Sequence, residues 1–473
     1  MNFAIIDITL LVLFVIATSI FLFRKRKNLK REGLLFLYRT KVGMRIIEKI
    51  GKKHEKLLNF LSYVSIILGF CLMGAVVYFF GKLVWVYIFQ SELVKAIKVP
   101  PIMPLIPYLP QMFKIDYLPP FYFIYWIVIL AIVAISHEFS HGIFAVNKKV
   151  KIKNTGFGFF PFFLPVFLAA FVELDNKKME KKKISHQMAI LSAGTFANIV
   201  IAIIVFAILV LFFSFAFTPS GVVFDSYTYS VVGITSITSI NNIHVENITF
   251  EKISEIVVEG KNKVIAGDTN YILTKDFFDK QTGGESLLLY DDAPAINENI
   301  GKIILKINDV DVNSREELGN ELAKYSPHET ITITTLENGT DRDYEIALGE
   351  NPEDKDSSYL GVGFIDKKSS GMLGNVMNLF SSFRKENVYY KPNFAISEFI
   401  YNLLWWLVLI SFSVALMNML PVGIFDGGRF FYLAILGLTK SEKIARRAFA
   451  IMTYLFLALV GVIMVFWGIG IFK

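Results

Sequence analysis

The chain has 473 residues, is 54% hydrophobic and has a mean hydropathy of +0.51, which excludes an ordinary soluble globular protein. Its net charge of +7 comes from Lys and Arg clustered beside apolar runs, as the positive-inside bias predicts, and no nucleic-acid partner is expected. A single cysteine, Cys71, excludes both an intrachain disulfide framework and a Cys-rich zinc site.

Uncharged runs long enough to cross a bilayer give an expected six spans. The first covers about 3–23, and "RKRKNLKR" follows it. No small-residue cleavage site lies there, so it reads as a retained span. The second is the run from Leu57 to Gly81, extending toward Phe89. A Pro-rich loop, "VPPIMPLIPYLPQMFKIDYLPP", leads to a third span starting near Phe121. The fourth covers about 187–216, the fifth about 399–420 and the sixth about 448–471. Basic blocks at 24–31, 148–153, 177–183 and 440–447 place those loops in the cytoplasm. The third and fifth spans then run inward, and the segment 217–394 lies outside.

The run "TGFGFFPFFLPVFLAAFVEL" (155–174) is long enough to cross, but it contains Gly156, Gly158, Pro161 and Pro165 and has basic flanks. It reads as a re-entrant or interfacial loop, with a seventh span as the alternative. The external segment alternates like a β-rich domain. "ETITITTLENGTDRDYEIAL" predicts a hairpin turning at Asn338-Gly339. "SREELGNELAKY" predicts a helix, with Ser314 and Glu317 at capping-box spacing. Ile240-Asn241-Asn242-Ile243 also aligns with Ile307-Asn308-Asp309-Val310, which suggests two small domains of one kind. The second copy resembles a PDZ domain; the first is degenerate.

At the end of the third span lies "AISHEFSHGI" (134–143). Ionisable groups at membrane depth are costly and mark functional sites. HEFSH fits the H-E-x-x-H zinc pattern. His137 and His141 share a helix face. Zinc acidifies a water toward pKa ~7, and Glu138 stands near enough to take its proton. Random placement of six histidines and 41 acidic residues gives roughly 0.007 such patterns, so chance is a poor explanation. The bland alternative is a pair of helix-end histidines contacting headgroups.

Two histidines leave a catalytic zinc one protein ligand short. His54, His186, His244, His328 and Cys71 are available, but none has a surrounding that suits it. Asp426, in "NMLPVGIFDGGRFFY" (418–432), is the better candidate. Pro421, Gly423, Gly427 and Gly428 interrupt the helix around it, as broken helices do at membrane binding sites. With six spans His141 and Asp426 reach the same membrane level; with seven they do not.

These residues resemble the site-2 protease family of intramembrane zinc metalloproteases. HEFSH is similar to its zinc motif. "SAGTFANI" is similar to its Gly-x-x-x-Asn motif, here Gly194 and Asn198. "NMLPVGIFDGG" is similar to its Asn-x-x-Pro and Asp-Gly motif, here Asn418, Pro421, Asp426 and Gly427. Two positions depart from the pattern: Thr195 stands where Pro is common, and Phe425 where Leu is usual. The resemblance covers about 121–450.

It implies a polytopic α-helical membrane protein of about six transmembrane helices with an extracytoplasmic α+β PDZ-like insertion, and an active site near the cytoplasmic face. The expected domains are 1–120 (two-span extension and Pro-rich loop), 121–216 (first half of the catalytic core) and 217–366 (PDZ-like insertion, copies at about 219–285 and 286–366). An amphipathic connector, 367–398, and the second half of the core, 399–473, follow. His137, His141 and Asp426 would bind one Zn2+, with Glu138 as general acid/base. Asn198 would help hold substrate or an intermediate, and Asn418 and Pro421 would shape the loop presenting Asp426. Transmembrane proteins in the lipid bilayer would be the substrates. The PDZ-like copies would bind peptides or act as a size filter. A non-catalytic PDZ-bearing scaffold and a metal transporter are the alternatives.

Overall fold

The structure is a computed structural model and describes residues 3–32, 35–90, 103–115, 118–159, 168–246, 248–365, 378 and 382–472. The chain divides into two units, Met1–Phe212 with Glu398–Lys473, and Phe213–Ser397.

Among the described residues, six helices are long and apolar enough to cross a membrane. They are α1 (Phe3–Lys25), α3 (Glu55–Phe89), α4 (Phe123–Asn147), α5 (Ile184–Ala216), α6 (Ser397–Asn418) and α8 (Glu442–Phe472). Shorter helices accompany them, among them α2 (Met44–Lys53) and α7 (Asp426–Thr439). The expected six-span count is thus matched in number and in place. A helix pairs its own backbone groups, which is what a bilayer demands of a spanning segment. Apolar side chains on α1 and α8, such as Leu13, Ile451 and Tyr454, are left bare by the protein. Lipid is the surrounding that suits them. Helices α3, α4, α5, α6 and α7 instead meet in one core, with Leu72, Phe144, Ile190, Ala415 and Phe430 all buried.

Asp7, near the start of α1, is 1% exposed. Its carboxylate accepts from the backbone N–H of Phe123 (2.7 Å) and of Ile124 (2.9 Å), and from the Tyr108 hydroxyl. The first N–H groups of a helix have no partner within it. Asp7 therefore caps α4 from another helix, and it ties the start of the helix that carries HEFSH to α1.

A four-stranded antiparallel sheet, in the order β1 (Leu29–Glu32), β2 (Leu35–Thr40), β3 (Ile152–Phe159), β4 (Leu168–Leu174), belongs to the same unit. Thus the described part of 155–174 is two strands rather than a spanning helix; residues 160–167 lie outside the described residues. Gly156 and Gly158 sit within β3, paired with Arg39 and Leu37 on one side and with Phe171 and Ala169 on the other. Glu173 accepts from Arg39 Nε (2.9 Å) and Asn154 Nδ2 (3.0 Å). These bonds, Asn154 first and then Arg39, hold its carboxyl below the usual carboxylate range.

The second unit contains two sheets built on one plan. In each, a short strand turns at an asparagine into a second short strand, and a helix and a longer hairpin follow. The first copy runs Ile237–Ile240, Ile243–His244, Phe250–Ile256, Lys261–Ala266, Thr269–Thr274. The second runs Ile303–Ile307, Val310–Asp311, Arg315–Leu322, Thr330–Glu337, Thr340–Ala347. Asn241 (φ 51°) and Asn308 (φ 49°) adopt the left-handed conformation that asparagine tolerates. Asn241 N–H donates to Lys263 O and its Oδ1 accepts from Lys263 N–H; Asn308 makes the same pair of bonds with Thr332. The turn at Asn338-Gly339 has φ 50° and 83°, as a two-residue hairpin requires. Ser314 caps its helix, accepting from Glu317 N–H at 3.1 Å.

Strand pairing crosses the expected copy boundary at 285/286. Ser286–Asp291 joins the sheet of the first copy, beside Thr269–Thr274. Phe217–Val223 joins that of the second, beside Ile303–Ile307. An open edge leaves backbone groups unpaired, and here each copy covers an edge with a strand from the other's stretch of sequence. Residues 367–377 and 379–381 of the expected connector lie outside the described residues; its later part forms the strand Val388–Pro392 beside Phe217–Val223.

Candidate metal centre

His137 and His141 lie one turn apart in α4, both buried. Their Nε2 atoms are 3.0 Å apart. Asp426 is the first residue of α7 and brings Oδ2 to 3.2 Å from each. Three ligand atoms arranged around a tetrahedral zinc, with bonds of ~2.0–2.2 Å, would stand roughly 3.3–3.6 Å apart. The observed triangle is a few tenths of an ångström tighter, and the donor set of two imidazoles and a carboxylate suits that ion.

Tautomer points the same way. His141 Nδ1 lies 2.6 Å from the carbonyl oxygen of Ile190 on α5. A carbonyl only accepts, so Nδ1 carries a proton, and the neutral imidazole then turns its Nε2 lone pair to the cluster. Gly194, one turn further along α5, lies directly over the two rings. A Cβ there would meet His137 Cε1 at 2.5 Å and His141 Nε2 at 2.5 Å. Asn198, another turn on, is 0% exposed and lies 3.2 Å from His137 Nδ1.

The loop between α6 and α7 delivers Asp426. Asn418 ends α6, and its Nδ2 is 3.5 Å from His137 Nε2. Buried Pro421 stops the helix from continuing. A Cβ on Gly427 would strike the Met419 carbonyl, and one on Gly428 that of Val422. Only glycines let the start of α7 close against this loop. Glu138 is half-buried, and its Oε2 accepts from the backbone N–H of Val172 in β4 at 2.9 Å.

His137, His141, Asp426, Gly194, Asn198 and Asn418 thus come together from three separate stretches of sequence. His54, His186, His244, His328 and Cys71 stand outside the ligand cluster found among the described residues. The carbonyl of Ile190 and the N–H of Val172 were not foreseen, because backbone groups carry no residue-type signal. Asp7 was not singled out either, although an acid inside an apolar run was the signal for it.

These features place a group able to hold a metal ion beside helices long and apolar enough to cross a membrane. The chain belongs to peptidase family M50, the site-2 protease family, whose family model matches residues 125–463. It is also similar to MJ0971, an uncharacterized protein of Methanocaldococcus jannaschii, at 32% identity over 209 residues, which is 42% of this chain. The match spans 50% of that relative's length.

Proposed function

We propose that the chain is a zinc endopeptidase that cuts peptide bonds within or near the transmembrane helices of membrane-protein substrates. The observation that carries this is the convergence of His137 Nε2, His141 Nε2 and Asp426 Oδ2 within 3.0–3.2 Å of one another, beside Glu138. Bound zinc supplies Lewis acidity and acidifies water. The two histidines and Asp426 would hold it. Glu138 takes the proton from the attacking water and returns it to the leaving amine. Asn418, Pro421 and Gly427 hold the loop that presents Asp426.

Amides in a substrate helix are locked in i→i−4 bonds, so the helix unwinds before cleavage. The extended chain pairs with the β3–β4 hairpin by strand addition. What supports this is the position of β4 at the end of its sheet and its bond to Glu138. The flanking basic blocks favour α4 and α6 running inward, with the metal centre near the cytoplasmic face. The same charges favour an extracytoplasmic insertion, 217–366. Its two copies are PDZ-like, with a strand, turn and helix plan that suits peptide binding or size selection.

The test is cleavage of a single-span substrate by detergent-purified protein. Glu138→Gln is expected to abolish cleavage and retain zinc, and a chelator is expected to stop the unaltered enzyme. Cleavage that persists in Glu138→Gln overturns the proposal.

A further inference from the structure

We propose that Asn198 is a positioning residue for the metal ligand His137, and that α5 locks both imidazoles through a single stripe. It rests on the zinc site proposed above. Ile190, Gly194 and Asn198 are spaced four residues apart, so they share one face of α5. Ile190 accepts from His141 Nδ1 at 2.6 Å. Gly194 leaves the space that the two rings fill. Asn198 stands 3.2 Å from Nδ1 of the other ring.

The chemistry at Asn198 follows from the tautomer. A neutral imidazole whose Nε2 faces a metal carries its proton on Nδ1. That N–H is a donor, and only an acceptor satisfies it. Asn198 is 0% exposed, and with Nδ2 toward the ring its Oδ1 is buried without a partner among the described residues. A half-turn of the carboxamide leaves its shape unchanged and places Oδ1 on the Nδ1–H of His137. The buried oxygen then gains a donor and the imidazole gains an acceptor. An outer partner of this kind fixes ring orientation and raises ligand basicity. Asn198 thereby acts on His137 rather than on substrate.

The experiment is competition for zinc against a chelator of known affinity, with full-length protein in detergent and zinc alone as probe. Asn198→Ala is expected to weaken zinc binding about 10–100-fold. Asn198→Asp, whose carboxylate also accepts from Nδ1–H, is expected to keep the unaltered affinity or exceed it. If the alanine variant does not fold, Asn198→Leu fills the site without an acceptor and is expected to show the same loss. Unaltered zinc affinity in the alanine or leucine variant overturns the inference, as does a loss in Asn198→Asp equal to theirs. Asp426→Ala separates the two proposals. Zinc binding indifferent to Asp426 overturns the site itself, whereas dependence on Asp426 without dependence on Asn198 overturns only the role of Asn198.

Discussion

A methyl group on Gly194 would lie 2.5 Å from His141 Nε2, one of the three atoms of the ligand triangle. In most helices Gly→Ala stabilises by up to about 1 kcal/mol, because alanine is the better helix former. Here it pushes a carbon into the space between two imidazoles. Gly194→Ala is expected to leave the helix intact and to cut bound zinc at least about tenfold, on the scale of losing a metal ligand's support. Zinc content after purification measures this, with circular dichroism as the control. Stoichiometric zinc in the variant would show that the rings have room to move.

The bond between Glu138 and Val172 makes a different prediction. Strand β4 ends its sheet, and the Val172 N–H points to Glu138 Oε2 at 2.9 Å, away from β3. Proline is tolerated on an edge strand where the missing N–H faces off the sheet. Val172→Pro therefore removes one hydrogen bond from the carboxylate and leaves the ladder. kcat is expected to fall about 10–100-fold, within the range of general acid–base contributions, with zinc content unchanged. Val172→Ala keeps the N–H and is expected to stay near the unaltered rate. Equal rates in the two variants would mean that the bond does not position Glu138.

Asp7 holds the other end of α4. Its carboxylate accepts from Phe123 and Ile124 N–H and from the Tyr108 hydroxyl. Replacing it by alanine leaves buried donors without partners, at about 1–3 kcal/mol each. Asp7→Ala is expected to lower the thermal midpoint in detergent by several degrees, and Asp7→Asn, which keeps one acceptor oxygen, by less. A midpoint unchanged in Asp7→Ala would show that water or lipid headgroups replace the carboxylate.

What was legible in the sequence and what was not divide along physical lines. Uncharged runs declare spanning helices, because the bilayer imposes both their length and their composition. H-E-x-x-H declares a candidate metal face, because its residue types are rare and its spacing is one helical turn. The hairpin at Asn338-Gly339 was legible because left-handed backbone selects asparagine and glycine. The pairing of Leu35–Thr40 with Ile152–Phe159 was not, because a basic stretch beside a span reads as a loop and its partner strand is more than a hundred residues away. Local alternation likewise could not assign Ser286–Asp291 to the first sheet and Phe217–Val223 to the second, since both choices have the same period.

The internal repeat supplies the last prediction. Ile240 and Ile307 occupy equivalent positions, both 0% exposed, each in the core of its own copy. Deleting three carbons from a filled core costs about 2–5 kcal/mol, part transfer and part cavity. The two cores share no residue among those buried in each cluster. Ile240→Ala is therefore expected to speed amide exchange along Lys261–Ala266 and Thr269–Thr274, while Thr330–Glu337 keeps its protection. Ile307→Ala is expected to do the reverse. Hydrogen exchange on the full chain reads both at once. Equal loss of protection in both copies from either substitution would mean that the exchanged strands, Phe217–Val223 and Ser286–Asp291, bind the pair into one cooperative unit.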